Sequence, residues 1–165
     1  MSKQILLGYT HAFLEAADAH ASAAKENGLD GEVHGMMCVI GLQNAAAGAI
    51  KLLGKGTKAV QTYQAKAGDL THVRDMLTHF DEYAIGKGKL QKPTDDEDGP
   101  FGWMPMWNSP ETILILNRRR GEEIPTRYEV AIQPTLVAVA ELVAAAADAM
   151  GREPSPLVKK LTGQD

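Results

Sequence analysis

Residues 70–84 read LTHVRDMLTHFDEYA, and their apolar spacing predicts an amphipathic helix. The stretch follows Asp69, a good N-cap residue, and precedes Gly86, which together with the lysines behind it is typical of a helix C-terminus. The apolar positions expected to face a core are Leu70, Val73, Leu77, Phe80 and Ala84. The sequence therefore predicts one helix over about residues 69–85, buried along one side.

The other side of this helix carries side chains suited to acid–base chemistry on a phosphate. Arginine can bind phosphate oxygens through two hydrogen bonds, and histidine exchanges a proton near neutral pH. Asp75 lies one helical turn before His79, so its carboxylate is expected to orient the imidazole. The candidate catalytic residues are thus Arg74 and His79, and the supporting candidates on the polar face are Asp75, His72 and Tyr83.

The spacing of the two catalytic candidates predicts a second copy of the chain. Arg74 and His79 are five residues apart and diverge by about 140° around a helix, so one helix does not easily aim both at a single phosphate. Two copies related by a two-fold axis would bring two arginines and two histidines into one cleft. We therefore expect a homodimer.

The segment from Arg74 to His79 also resembles the signature of the HEPN domains, with Asp75 in the usual polar position. That family is all-helical and includes many metal-independent ribonucleases of toxin–antitoxin, abortive-infection and CRISPR systems. The resemblance implies that an RNA 2′-hydroxyl attacks the adjacent phosphate at the dimer interface, with His79 as acid–base group and Arg74 stabilising the phosphorane. It implies a toxin or phage-defence endoribonuclease that leaves a 2′,3′-cyclic phosphate, uses no cofactor and has an antitoxin or regulatory protein as a further partner.

The remainder of the chain predicts a mainly all-α class, an antiparallel helical bundle with a β-hairpin insertion before the last helix. With 165 residues and 44% hydrophobic content, the chain can bury a core without metals or disulfides. Further helices are expected at Lys3–Asn27, with Phe13 among the inward positions, at about 32–53, in short form within 57–68, and at about 132–150. We expect one domain over residues 1–151 and a frayed tail over 152–165.

The composition changes over residues 93–130, which we expect to hold an irregular segment and then a hairpin. Residues 111–116 and 124–130 have strand-like sequences and can pair across an arginine-rich turn. Basic side chains there and behind the motif helix could bind RNA phosphates, although a solvated turn is the alternative reading. The candidates are Arg118, Arg119, Arg120, Lys87 and Lys89.

Several other classes of function are disfavoured by the sequence. The formal net charge of −4 is unlike that of general nucleic-acid binders, so any RNA site must be a local basic cleft. Cys38 stands in an apolar run and is expected to be a core residue rather than a nucleophile. Gly54-Lys55-Gly56 lacks the Ser or Thr of a phosphate-binding loop. The N-terminus lacks a signal segment, so we expect a cytoplasmic protein with no membrane partner.

Two alternatives from other classes remain open. The first is a non-catalytic helical binding module, resembling inactive HEPN domains, in which His79 would be dispensable. The second is a metal-dependent bundle, because His72, Asp75 and His79 share one face of the predicted helix. Loss of activity on adding a chelator would favour the metal-dependent bundle.

Overall fold

The structure, a computed structural model, describes residues 2–91, 102–118 and 122–164. Within those ranges the fold is mainly helical, with a small three-stranded antiparallel sheet, so the predicted class is confirmed. The helices are α1 (Lys3–Asn27), α2 (Glu32–Leu53), α3 (Lys58–Lys66), α4 (Leu70–Thr78), α5 (Phe80–Ala84), α6 (Ile132–Ala149) and α7 (Pro156–Thr162). The strands are β1 (Gly102–Ser109), β2 (Thr112–Arg118) and β3 (Thr126–Ala131).

Helices α1 and α2 are antiparallel and approach closely at glycines of α2 and of the turn before it. A Cβ added to Gly41 would lie 3.1 Å from the Ala17 Cβ, and one added to Gly48 would meet the hydroxyl of Thr10. A Cβ on Gly31, where the turn enters α2, would overlap the backbone of Ala24 and lie 2.8 Å from its Cα. The glycines therefore set the distance between the two longest helices.

We expect Gly31→Ala to lower the free energy of unfolding by about 1–3 kcal/mol, because the added methyl meets backbone that has no alternative rotamer. Gly8→Ala is the matched control, since nothing lies within 4 Å of a Cβ at that exposed helical position. That control should be neutral or stabilising by up to about 1 kcal/mol. Urea unfolding followed by circular dichroism measures both variants, and equal effects would contradict the close approach.

The core lies between α1, α2, α4, α6 and the inner face of the sheet. Leu14, Leu42, Val73 and Leu136 are fully buried, and each comes from a different helix. Cys38 is also fully buried, and burial raises the pKa of its thiol to about 12, with the Asp18 carboxylate adding to the shift. The prediction that Cys38 is a core residue is therefore confirmed.

Two helices have the length and composition of a membrane span, namely α2 and α6. The buried share of the most apolar stretch is 56% in α6 and 39% in α2. Burial of this kind is typical of core helices in folded domains. Such helices are weak grounds for a membrane segment because core helices have the same composition. The cytoplasmic location stays a prediction.

The predicted hairpin is present as β2 and β3, which pair antiparallel with Leu114 opposite Glu129. The expectation of an irregular segment is wrong for residues 102–109, which form β1 and pair with β2. The sequence obscured this strand because Pro105 normally interrupts a sheet, but β1 is an edge strand, where a missing backbone donor is tolerated.

The predicted frayed tail is also wrong, because residues 156–162 form α7. The Ser155 hydroxyl caps this helix by accepting a hydrogen bond from the Val158 N–H at 3.4 Å, and Pro156 stands at its start. Val158 is fully buried and fixes the helix to the core. Pro156 is thus a helix-start residue within the segment that was predicted to fray.

Candidate functional site

The motif segment is two helices rather than one, because the chain leaves α-helical geometry at His79. Its φ of −117° and ψ of 34° separate α4 from α5. The Thr78 hydroxyl donates to the carbonyls of Arg74 at 3.0 Å and Asp75 at 3.2 Å, an arrangement that competes with a continuing helix. Acidic residues in the first turn of α5 stabilise a new N-terminus just after the break.

The break changes which side chains α5 buries. Tyr83, expected on the polar face, is fully buried, whereas Phe80 is 59% exposed and Ala84 is exposed. The prediction holds for Leu70, Val73 and Leu77, which lie in α4 before the break. The turn at His79 thus brings Tyr83 inward in place of Phe80.

Tyr83 connects the motif helix to the sheet. Its hydroxyl donates to the Asp75 Oδ2 at 3.3 Å and accepts from the Leu90 N–H at 3.2 Å. The Leu90 carbonyl in turn accepts from the Asn117 side-chain amide of β2 at 3.2 Å. Burial raises the pKa of Tyr83 to about 12, and the Asp75 charge adds to the shift. The phenol is therefore a fixed donor rather than a group that exchanges protons at neutral pH.

The segment that covers Tyr83 requires a glycine. A Cβ on Gly88 would lie 2.5 Å from the Cγ and Cε1 of the Tyr83 ring, so the backbone lies flat on the ring. On another side Tyr83 is near Trp103 of β1, with ring centroids 6.5 Å apart. The hydroxyl of Tyr83 is thereby held in place beside Asp75.

His79 is half-exposed and lies between two carboxylates. Its Nε2 is 4.0 Å from the Asp75 Oδ1, and its Nδ1 is 3.9 Å from the Glu82 Oε1. Both distances are too long for hydrogen bonds, so the expected orienting bond from Asp75 is not formed in this structure. Asp75 is held instead by Tyr83, and the His79 side chain remains 49% exposed.

Arg74 is half-buried on α4, on the side of that helix nearer α2. The side is fixed by Thr71, three residues earlier, whose hydroxyl hydrogen-bonds to the Gln43 side-chain oxygen of α2 at 3.3 Å. The Arg74 Nε is buried and has no hydrogen-bond partner among the described residues. Among the described residues, no hydrogen bond or ion pair joins Arg74 to His79. This agrees with the angle by which the two side chains diverge around the helix.

His72 does not join this site. Its ring lies edge-on to Tyr128 of β3, with centroids 5.5 Å apart. On the same side of the motif segment the Asp69 Oδ2 accepts a hydrogen bond from the Glu129 N–H at 2.9 Å. His72 therefore belongs to the contact between α4 and the sheet. With His79 beyond the helix break, no group of three metal-ligating side chains forms among the residues described.

Three of the five basic candidates, Lys87, Lys89 and Arg118, lie near one end of the sheet. Lys87 and Lys89 are exposed. Lys89 directly precedes Leu90, whose carbonyl accepts a hydrogen bond from the Asn117 side chain. Arg118 follows Asn117 in β2, but its Nε donates to the Glu122 carbonyl at 2.8 Å. Arg119 and Arg120 lie outside the described residues.

Sequence reasoning missed the polar residues that surround Tyr83. Gln91 and Asn117 are fully buried, and the Gln91 side-chain oxygen accepts from the Gly88 N–H at 3.2 Å. The available signal was the pair Gly86 and Gly88, since a glycine so close behind a helix often marks a tight backbone approach.

A cleft of about 700 Å³ lies elsewhere in the fold, between α1, α7 and the start of α6. Its charged lining residues are Asp18, Lys25, Glu111 and Lys160. None of the sequence-derived catalytic candidates lines this cleft.

The protein is mainly helical and carries a half-exposed histidine at a helix break. A scan against protein-family models and searches of curated proteins and of solved structures found no match for this chain.

Proposed function

We propose that the protein is a metal-independent endoribonuclease of the toxin or defence type that acts as a homodimer, with Arg74 and His79 as catalytic residues. The observation that carries the proposal is the position of His79. A half-exposed imidazole without a hydrogen-bond partner among the described residues is available to a substrate, and the break in the helix fixes its backbone.

The proposed reaction needs one proton acceptor, one proton donor and a cation. The neutral His79 imidazole takes the proton of an RNA 2′-hydroxyl as that oxygen bonds to the adjacent phosphorus. The bond from phosphorus to the 5′-oxygen then breaks, and that oxygen takes a proton from His79 of the second protomer, which is in the protonated form. The products are a 2′,3′-cyclic phosphate and a 5′-hydroxyl end.

Arg74 supplies the cation in this proposal. Its half-buried position is consistent with charge stabilisation, because a guanidinium partly removed from water interacts more strongly with a phosphate than an exposed one does. Asp75 has a positioning role, since Tyr83 holds its carboxylate 4.0 Å from the imidazole. Lys87, Lys89 and Arg118 are the proposed contacts to the RNA backbone.

The test is cleavage of labelled single-stranded and structured RNAs by the purified protein in excess EDTA. We expect fragments ending in a 2′,3′-cyclic phosphate, which only acid treatment or a phosphatase active on cyclic phosphates opens. Absence of cleavage across all RNAs, or cleavage only after a divalent metal is restored, would overturn the proposal.

A non-catalytic interaction module is the second candidate function. It is favoured by exposed apolar side chains on α1 and α2, which no described part of the chain covers. The two functions differ in their dependence on His79. If the protein has a growth phenotype on expression, that phenotype disappears with His79→Ala for the ribonuclease and persists for the module.

A further inference from the structure

Helices α1 and α2 each expose a row of large apolar side chains. On α1 the exposed side chains Ile5, Tyr9 and Phe13 are spaced one turn apart and are 54%, 57% and 40% exposed. On α2 Val33 and Met37 have the same spacing and are 67% and 43% exposed. Phe13 had been expected to face the core, so its exposure is a departure from the sequence prediction.

The two rows of side chains lie along one seam between the helices. The Gly41 Cβ position is 3.1 Å from the Phe13 carbonyl, which places Phe13 beside the turn of α2 that follows Met37. Farther along the seam the Nδ1 atoms of His20 and His34 are 3.0 Å apart, so one ring donates a hydrogen bond to the other. We call this surface, defined by Ile5, Tyr9, Phe13, Val33 and Met37, the α1–α2 face.

We infer that a second copy of this chain binds the α1–α2 face. The exposed fractions of its five side chains amount to an area on the order of 500 Å², given full side-chain areas of about 200 Å². A stable interface buries about 800 Å² on each partner, so these side chains supply more than half of one. The adjoining exposed alanines of α1 and α2 extend the same surface.

The charge of the face favours a copy of itself over a membrane or a nucleic acid. Within α1 the exposed positions between Ile5 and Ala19 that share this side contain no Lys, Arg, Asp or Glu. Helices that bind membrane surfaces are rich in lysine and arginine, but α2 has the single lysine Lys51, and the chain has a net charge of −4. The five side chains that define the face carry no charge, so a two-fold axis that brings the face against itself opposes no like charges among them.

The helix that carries Arg74 packs against another side of α2. The hydrogen bond from Thr71 to Gln43 places α4 along the flank of α2, with Arg74 one turn farther along α4. Gln43 lies about 120° around α2 from Met37, so α4 and the second copy occupy different sides of α2. The catalytic role of this dimer rests on the proposed function. The surface itself follows independently from the exposure and charge of its five side chains.

The experiment is light scattering of the full chain over a range of concentrations, using the Phe13→Glu/Met37→Glu double variant. We expect a dimer for the wild type and a dissociation constant raised by about 30-fold or more in the double variant, the effect of losing interface hot spots. Ile124→Glu is the matched control, since Ile124 is 79% exposed just before β3 and lies outside the face. That variant should remain dimeric, and circular dichroism should show all three proteins folded.

A second measurement covers the case in which the double variant fails to fold. Cys38 is buried, so a thiol introduced by Tyr9→Cys is the accessible one. Its labelling by a maleimide should slow as protein concentration rises, whereas labelling of Ile124→Cys should not. A monomeric wild type, unchanged dimerisation in the double variant, or a monomer that sediments with phosphatidylcholine–phosphatidylserine vesicles would overturn the inference.

The outcomes separate this surface from the ribonuclease. A dimer that depends on the α1–α2 face but cuts no RNA supports the surface and removes the catalytic proposal. Cleavage by a dimer that does not depend on the α1–α2 face removes the surface and leaves the chemistry in place, whereas cleavage by a monomer removes both the surface and the two-protomer chemistry.

Discussion

Replacing His79 by alanine is expected to lower the rate of RNA cleavage by about 10²–10⁴-fold, the usual effect of removing a general acid–base group. The imidazole is half-exposed and makes no hydrogen bond within the described residues, so little stability depends on it. We expect the free energy of unfolding to change by less than about 0.5 kcal/mol. Initial rates on a labelled RNA in EDTA, beside urea unfolding of the same preparations, measure both effects.

The matched control is His72→Ala. His72 is also an exposed histidine of the motif segment, but its ring contacts Tyr128 on the side facing the sheet. Its removal should leave the cleavage rate within a few-fold of the wild type. Similar losses for the two variants, or none for His79→Ala, would show that His79 is not the proton-transfer group.

Replacing Tyr83 by alanine is expected to lower the free energy of unfolding by about 3–5 kcal/mol, the range for deleting a buried aromatic ring. The ring is fully buried and lies under Gly88, and its hydroxyl connects Asp75 to the Leu90 N–H. Tyr83→Phe keeps the ring and removes the hydroxyl. It should cost about 1–3 kcal/mol, because the Leu90 N–H then loses its partner.

Phe80→Ala is the control for this prediction, since it removes an aromatic ring from the same short helix. Phe80 is 59% exposed, so its loss should change the free energy of unfolding by about 0.5 kcal/mol or less. Urea unfolding at one fixed protein concentration keeps any contribution from dimerisation constant. Equal destabilisation by the two alanine variants would contradict the helix break at His79, which decides that Tyr83 and not Phe80 is buried.

Asp75 shows why the sequence described the site only in part. Its spacing from His79 correctly placed the two side chains near each other, but their 4.0 Å separation is not a hydrogen bond. The actual partner is Tyr83, eight residues away and beyond a change in backbone direction. A helical wheel assumes one continuous axis, so it cannot show a contact that exists because the axis ends.

The long helices were predictable because their signals are local. The bounds of α1 agree with the prediction, since Asn27-Gly28 ends the apolar pattern and Gly28 takes a positive φ of 56°. The start of α6 was likewise set by the return of helical apolar spacing after the hairpin. Such signals act within a turn or two of the chain and do not need the rest of the fold.

The sequence by itself determined the mainly helical class, the extents of α1, α2 and α6, the pairing of β2 with β3, and the burial of Cys38. These follow from the spacing of apolar residues and from glycines at helix ends, both properties of neighbouring residues. Only the tertiary structure decided that β1 is a strand, that α7 is a helix, and that Tyr83 turns inward while Phe13 faces out. Each of these depends on which distant surface is available to pack or to pair, because burial is a property of the assembled fold.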